Sequence, residues 1–438
     1  MHLPEFFLSL RQMCFAKTAL MVFNDPEVRH FVNTHDIHNC IWTSEEIESL
    51  IGKEPATLLK KAHVNEIHSK RFITNFSQEY KRRFSGDGKH HSLPNKQWEI
   101  LVDQKLTTLS LPNIFKKEVM SLVRLVLIES YKWLRDHKTT IESTNKLQKH
   151  FHWTQDNKID RYKTAKAIIA DDNIDNRYRF LLASHYCFQE DVLSIWKILD
   201  DAQKNFFQEY DFNIVQIWVN WALYGWDINW EEIARVCRFG LQRYFPKLER
   251  EKRLQHLMFY GRGIWNDYHE LQFCLSILDQ NEKNEILKKC AFQVIEVFLD
   301  WPVHGKLLDV VELLWPYLSE QNFREFFDVI LCQKSLFNWI GYDYITLVKK
   351  LYIRVPFERR KVIEKDAMYK TLIFVLEYDT SHFSPRAHSN DDNFLAIYSG
   401  TTAFVISKYM GDFLSFSLPL HKTFYLYFKT DMRCFIQD

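Results

Sequence analysis

Residues 213–225 read NIVQIWVNWALYG, and their apolar members recur three and four positions apart. Ile214, Ile217, Trp218, Trp221 and Ala222 therefore fall on one stripe of a helix, because each residue turns the chain by roughly 100°. Gly225 stands where a left-handed cap ends such a helix. Burying the four large members contributes on the order of 8–10 kcal/mol, while ordering a dozen residues costs roughly 1–2 kcal/mol each. The segment cannot stand alone and must pack on neighbours.

The same pattern extends in both directions. Upstream, stripes are formed by Val119, Leu122, Val123, Val126, Leu127 and Leu134, by Tyr162, Ala165, Ile168 and Ile169, by Tyr178, Leu181, Leu182 and His185, and by Val192, Ile195, Trp196 and Leu199. Downstream come Tyr268, Leu271, Leu275 and Leu278 behind an Asp267/Glu270 capping box, then Ile286, Cys290, Val294 and Phe298. Leu307, Val310, Val311 and Leu314, and Phe323, Phe326, Phe327 and Ile330, complete the series. Trp301-Pro302 and Trp315-Pro316 mark boundaries, since proline cannot donate to a helical ladder. Sliding residues 277–290 by 40 onto 317–330 gives a degenerate match, a spacing that suits a two-helix repeat. The expected fold is all-α, a helical-hairpin repeat array resembling an α-solenoid, with an irregular multi-helix globule as the alternative.

Composition divides the chain of 438 residues into four parts. Residues 1–84 read as an N-terminal helical region, and the glycine- and histidine-bearing SGDGKHHSLPNKQ, residues 85–97, as a linker. Residues 98–380 carry the array. In the tail, residues 381–438, charge thins out: from Phe394 onward only seven of 45 residues are charged while eleven are Phe or Tyr, which points to a small strand-bearing cap or an irregular segment.

The block IDRYKTAKAIIADDNIDNRYRFLLASHYCFQEDVLSIW (159–196), together with MHLPEFFLSL at the start and the later EILKKC and FLDWP, resembles a large family of uncharacterised all-helical proteins predicted from spider genomes. The resemblance spans residues 1 to about 335 and implies stacked helical pairs, with no activity known for the family. Ankyrin arrays are similar in hairpin spacing, yet their T-P-L-H turn and glycines are missing here.

Lys and Arg number 57 against 56 Asp and Glu, so no overall field draws the molecule to nucleic acid or anionic membrane. Charge is uneven locally. Residues 53–83 carry a local +5 through Lys60, Lys61, Lys81, Arg82, Arg83 and their neighbours, and residues 349–365 another +5 through Lys349, Lys350, Arg354, Arg359, Arg360 and Lys361. Residues 171–211 carry −5. Each basic segment is a candidate patch for an acidic partner or phosphate groups, weighed against the plainer reading of a solvated helix face. The array predicts that the two segments lie apart and act independently.

Eight cysteines without C-x-x-C read as reduced core thiols in a cytoplasmic protein, a disulfide-bonded secreted chain being the alternative. The first residues lack a signal peptide's uncharged apolar run, and no stretch approaches a membrane span. His30, His35, His38 and Cys40, and His63, Glu66 and His68, match no zinc spacing, so no metal or other cofactor is expected. Gly86-Asp87-Gly88-Lys89 and Gly261-Arg262-Gly263 read as turns. Trp218, Trp221, Trp226 and Trp230 read as packing residues ahead of a platform for bases or cationic ligands. With no catalytic motif, the expectation is a non-enzymatic protein-interaction scaffold with an unidentified protein partner. The alternative is a nucleic-acid-associated protein working through its basic patches.

Overall fold

The computed structural model describes residues 6–35, 94–137, 144–209, 213–237, 239–260, 268–299, 301–320, 344–365, 369–377, 394–399, 402–407 and 416–417, with residues 3, 40, 44, 322, 326 and 327. Up to Glu377 the described chain is helical. In order come α1 (Leu10–Phe23), α2 (Pro26–Thr34), α3 (Pro94–Thr108), α4 (Asn113–Asp136), α5 (Arg161–Ile169), α6 (Asn176–His185) and α7 (Gln189–Ile198). There follow α8 (Asp201–Gln208), α9 (Asn213–Tyr224), α10 (Trp230–Val236), α11 (Leu241–Tyr244), α12 (Arg250–Gln255), α13 (Tyr268–Ile277) and α14 (Gln280–Lys289). The last are α15 (Ala291–Val297), α16 (Leu307–Leu314), α17 (Tyr344–Arg354), α18 (Phe357–Glu364) and α19 (Tyr369–Glu377). Beyond them β1 (Phe394–Ser399), β2 (Thr402–Ser407) and β3 (Phe416–Ser417) form an antiparallel sheet in the order β1-β2-β3, with Phe394 opposite Ser407 and Phe404 opposite Ser417.

Seven of the described helices start at a short polar side chain. The first N–H groups of a helix have no internal partner, and an Asp, Asn or Ser before the first turn accepts from them. Ser9 and Gln12 form a reciprocal capping box, as do Asp200 with Gln203 and Asp279 with Glu282. Asp25, Asp160, Asp175 and Asn229 cap α2, α5, α6 and α10. At the other end of α9, Gly225 has φ +67° and its N–H reaches the Trp221 carbonyl at 3.0 Å, the left-handed stop expected of it.

The chain divides into two compact units. One comprises residues 1–8 and 129–317, the other residues 9–128 and 318–438. Within the second, α1, α2 and α3 pack on one another, and Arg124 of α4 bonds Glu99 at 2.7 Å while lying over the Trp98 ring. Within the first, α6 is central and packs on α5, α7 and α9. Helix α9 in turn meets α7, α8 and α10, and α15 meets α14 and α16.

Packing corrects two sequence expectations and a proline corrects a third. In α6 the buried residues are Phe180, Leu181, Leu182, Ala183 and Ser184, a continuous run, while Tyr178 and His185 are only half-buried. Helix α9 is rotated from its expected stripe: Ile214, Val215, Trp218 and Val219 are buried, and Ile217, Trp221 and Ala222 are half-buried. Helix α3 opens at Pro94, inside the stretch 85–97 read as linker, because proline suits the first turn, where no N–H is needed. The stripe Leu307, Val310, Val311 and Leu314 is wholly buried as expected, and both Trp-Pro pairs fall at the edges of helices. Phe323, Ile330 and Asp267 lie outside the described residues.

Trp218 is fully buried and meets Trp221 and Trp230 edge to face, at ring centroid distances of 5.5 and 6.4 Å. Trp218→Ala is expected to lower stability by about 3–5 kcal/mol, and Trp221→Ala by distinctly less. Denaturant unfolding of both variants checks the order, and equal losses would show that α9 presents the face expected from its spacing.

Candidate functional site

A cleft of about 620 Å³ opens in the unit built from residues 129–317. Helix α5 supplies Tyr162, Lys163 and Lys166, the residue before α7 supplies Phe188, and α11 supplies Gln242 and Arg243. His152 and Phe273 of α13 also line it. Local chemistry fixes the parts. The Asp160 side chain accepts from Lys163 N–H and starts α5, and Thr164 Oγ1 accepts from His152 N–H at 3.0 Å. Tyr162 Oη accepts from the Gln242 N–H at 2.7 Å, which joins α5 to α11 across the cleft. Burial pushes the Tyr162 phenol far above its usual range, and the carboxylate of Glu270 pushes the same way, so this hydroxyl stays protonated.

The cations at the rim differ in how far they are committed. Lys163 pairs with Asp160 at 2.9 Å. Lys166 pairs with Asp191 and lies 4.3 Å from the centre of the Phe188 ring. Arg243 is exposed and lies over the same ring at 5.6 Å, and among the described residues it has no carboxylate within ion-pair distance. Phe188 thus sits between an ammonium and a guanidinium, each attracted by the ring's negative face for about 0.5–1 kcal/mol at such sites.

Beneath the cleft lies a column of rings. His137 is fully buried and stacks on Trp133 at 4.0 Å and Phe239 at 4.5 Å. Its Nδ1 is 2.7 Å from the Trp133 carbonyl, which assigns the proton to Nδ1 and leaves Nε2 to accept from Tyr186 Oη at 2.9 Å. Burial, with the Arg161 guanidinium and His185 adding to it, lowers the His137 pKa to about 3 against the opposing Trp133 carbonyl and Asp136. Arg161 is held by Asp136 at 2.7 Å.

Beside the column, Cys187 and Cys237 place their sulfurs 3.5 Å apart. Cys187 has φ +55°, with its N–H bonded to Ser184 and the Phe188 N–H to Ala183. That is the Schellman ending of α6 with cysteine at the position where glycine is usual.

The basic candidates of the sequence fare differently. Lys60, Lys61, Lys81, Arg82 and Arg83 lie outside the described residues, as do His38, His63, Glu66, His68 and both glycine turns. In the second segment Arg360 donates through Nε to the Val355 carbonyl at 2.9 Å and through Nη2 to that of Ile353, closing the end of α17. Lys361 pairs with Glu358 at 3.2 Å and covers the Phe357 ring. Lys349 and Arg359 are half-buried, whereas Lys350 and Arg354 are exposed. These residues share α17 and α18, but two of the cations serve the helices themselves. His35 stacks on Phe31 at 3.9 Å, and among the described residues no group of three His, Cys, Asp or Glu side chains stands ready to hold a metal. Trp218 is core, while Trp226 stacks with Tyr224 on the surface at 5.1 Å.

Sequence reasoning missed the cleft because Tyr162 and Gln242 are eighty positions apart. Comparison with protein-family models, curated proteins and solved structures finds no match. No helix among the described residues is long and apolar enough to cross a membrane.

The buried histidines set a pH dependence. Burial lowers His256 to about 4, and its Nε2 lies 3.1 Å from Tyr244 Oη. Unfolded histidine titrates near 6.5, so between pH 6.5 and 4 the unfolded chain takes up protons that the folded one refuses. Stability from keeping these rings neutral is complete above pH 6.5 and falls with pH by up to about 1.4 kcal/mol per unit per histidine. Asp136 and Asp156 lose their contribution only at lower pH: burial raises both, yet Arg161 and His269 hold them below the usual carboxylate range. Unfolding free energies measured from pH 7 to 5 are expected to fall less steeply in His137→Gln than in the wild type, and parallel slopes would contradict a neutral His137.

Proposed function

We propose that this protein is a non-enzymatic interaction scaffold, a repeat-like array of packed helical pairs that binds an acidic segment of a partner protein along the cleft rim. The observation that carries the reading is Arg243, an exposed guanidinium over an aromatic ring with no carboxylate of its own among the described residues. Lys163 and Lys166 flank it, and Lys163, whose side chain is largely exposed, can exchange its aspartate for a ligand carboxylate at little cost, because exposed ion pairs contribute only about 0–1 kcal/mol. Binding suits these groups better than proton transfer, since Tyr162 is held protonated and both lysines are paired.

The scaffold reading draws on helices that pack on their neighbours in sequence, α5 on α6, α6 on α7 and α9 on α10. It accords with the likeness of residues 159–196 to the helical spider family, which we extend to the architecture alone. The free thiols of Cys14, Cys40, Cys187, Cys237, Cys274 and Cys290 suit a reducing, cytoplasmic setting.

Fluorescence anisotropy with a labelled poly-glutamate peptide tests the site. Binding is expected at low salt, weakened at least tenfold in Arg243→Glu and unchanged in Arg359→Glu. Binding of single-stranded RNA in place of the peptide, lost in Arg359→Glu, would establish the nucleic-acid alternative instead. An Arg243→Glu variant that binds poly-glutamate like the wild type would overturn the cleft reading.

A further inference from the structure

Two sulfurs from positions fifty residues apart meet at 3.5 Å in a place shaped for both of them. Cys187 occupies a left-handed position at φ +55°, where glycine is the easier residue, and this conformation directs its side chain to Cys237. Glycine stands instead at position 240. A Cβ there would lie 2.4 Å from Cys187 Sγ and 2.8 Å from Cys237 Sγ, so any larger residue would displace the pair. The Gly240 N–H donates to Cys237 Sγ at 3.2 Å. The pair is buried.

We propose that Cys187 and Cys237 are a redox site, a dithiol that a hydroperoxide converts to a reversible disulfide. Cys237 is the attacking sulfur. At rest the Cys237 S–H donates to the His185 carbonyl at 3.0 Å, and the Gly240 N–H donates to the sulfur at 3.2 Å. Burial works to raise its pKa, but the hydrogen bonds from Cys187, Gly240 and Phe239 bring it below the ordinary thiol value, so the thiolate forms here by loss of that proton. The Cys187 thiol is pushed up by the same hydrogen bond and by burial, and keeps its proton. The Cys237 thiolate attacks one peroxide oxygen and forms an S–O bond. The O–O bond breaks, and the departing alkoxide takes a proton to leave as alcohol, or as water from hydrogen peroxide. Cys237, oxidised by two electrons, is then a sulfenic acid. Cys187 sulfur attacks the Cys237 sulfur, the S–S bond forms, the S–O bond breaks, and hydroxide leaves as water with the Cys187 proton. Closure needs the sulfurs to approach from 3.5 Å to about 2.05 Å. Two equivalents of a small thiol reverse the reaction and become its disulfide. This site stands independently of what the cleft binds.

The test treats the full-length protein with hydrogen peroxide, alkylates the remaining thiols and maps the peptides by mass spectrometry. The expected product is a peptide pair linked through Cys187 and Cys237, formed before the other cysteines are lost and abolished by dithiothreitol. In Cys187→Ser, dimedone should trap a sulfenic acid at Cys237, and in Cys237→Ser it should leave Cys187 unmarked. Oxidation of exposed Cys14 with no Cys187–Cys237 link in the wild-type protein would overturn the proposal without reliance on any variant. Dimedone marking of Cys187 in Cys237→Ser at the rate seen for Cys237 would overturn the assignment of the attacking sulfur.

Discussion

His137 is a neutral imidazole with both ring nitrogens in use, and the helical unit around it depends on that state. Nδ1–H satisfies the Trp133 carbonyl one turn earlier on α4, and Nε2 accepts from Tyr186 at the end of α6. The flat faces are taken by Trp133 and Phe239, each inclined by 19°. A proton on Nε2 would remove the acceptor that Tyr186 uses and add a charge beside Arg161 at a fully buried position. One ring thereby ties the end of α4, the end of α6 and the 239–240 segment.

That segment sets the positions of both sites. Phe239 is fixed against His137 and also covered by the Arg161 guanidinium at 5.6 Å, so the following Gly240 is delivered against the two sulfurs. Helix α11 begins immediately after Gly240 and carries Gln242, whose N–H meets Tyr162, and Arg243, which crosses the Phe188 ring. Phe188 itself follows Cys187 in the Schellman turn. The thiols and the cleft are therefore two faces of the same short pieces of backbone, and each inherits its geometry from the buried rings.

What the sequence made legible follows from how locally each feature is encoded. Leu307, Val310, Val311 and Leu314 lie on one turn-to-turn stripe, and Gly225 needs nothing beyond its own φ to stop α9. The phase of α6 is not legible from spacing because a helix covered on several sides buries residues all round, so Ser184 is as dry as Leu182, whereas α9 buries one face, Ile214, Val215, Trp218 and Val219, turned from the stripe its spacing suggests. No spacing rule joins Cys187 to Cys237 or Tyr162 to Gln242. A cysteine in a left-handed turn also leaves no mark in the sequence, since the usual mark of that turn is glycine.

Counting charges along the chain has the same limitation. The excess of acid in residues 171–211 is met from outside the stretch, as Lys166 takes Asp191 and Lys149 takes Asp171 at 3.1 Å, and from within it, as Arg179 takes Asp172 at 2.9 Å. The excess of base in 349–365 is partly structural, because carbonyls at the end of α17 need donors and Arg360 supplies them. A cation spent on a helix terminus or an aspartate has lost part of its attraction for any ligand. Arg243 differs in that the Phe188 face orients its guanidinium without neutralising it. An aromatic ring offers a quadrupole and no acceptor oxygens, so the donors of the fork remain open for a carboxylate. Arg243 is thus set apart by an aromatic face that orients it, and local charge density along the chain does not single it out.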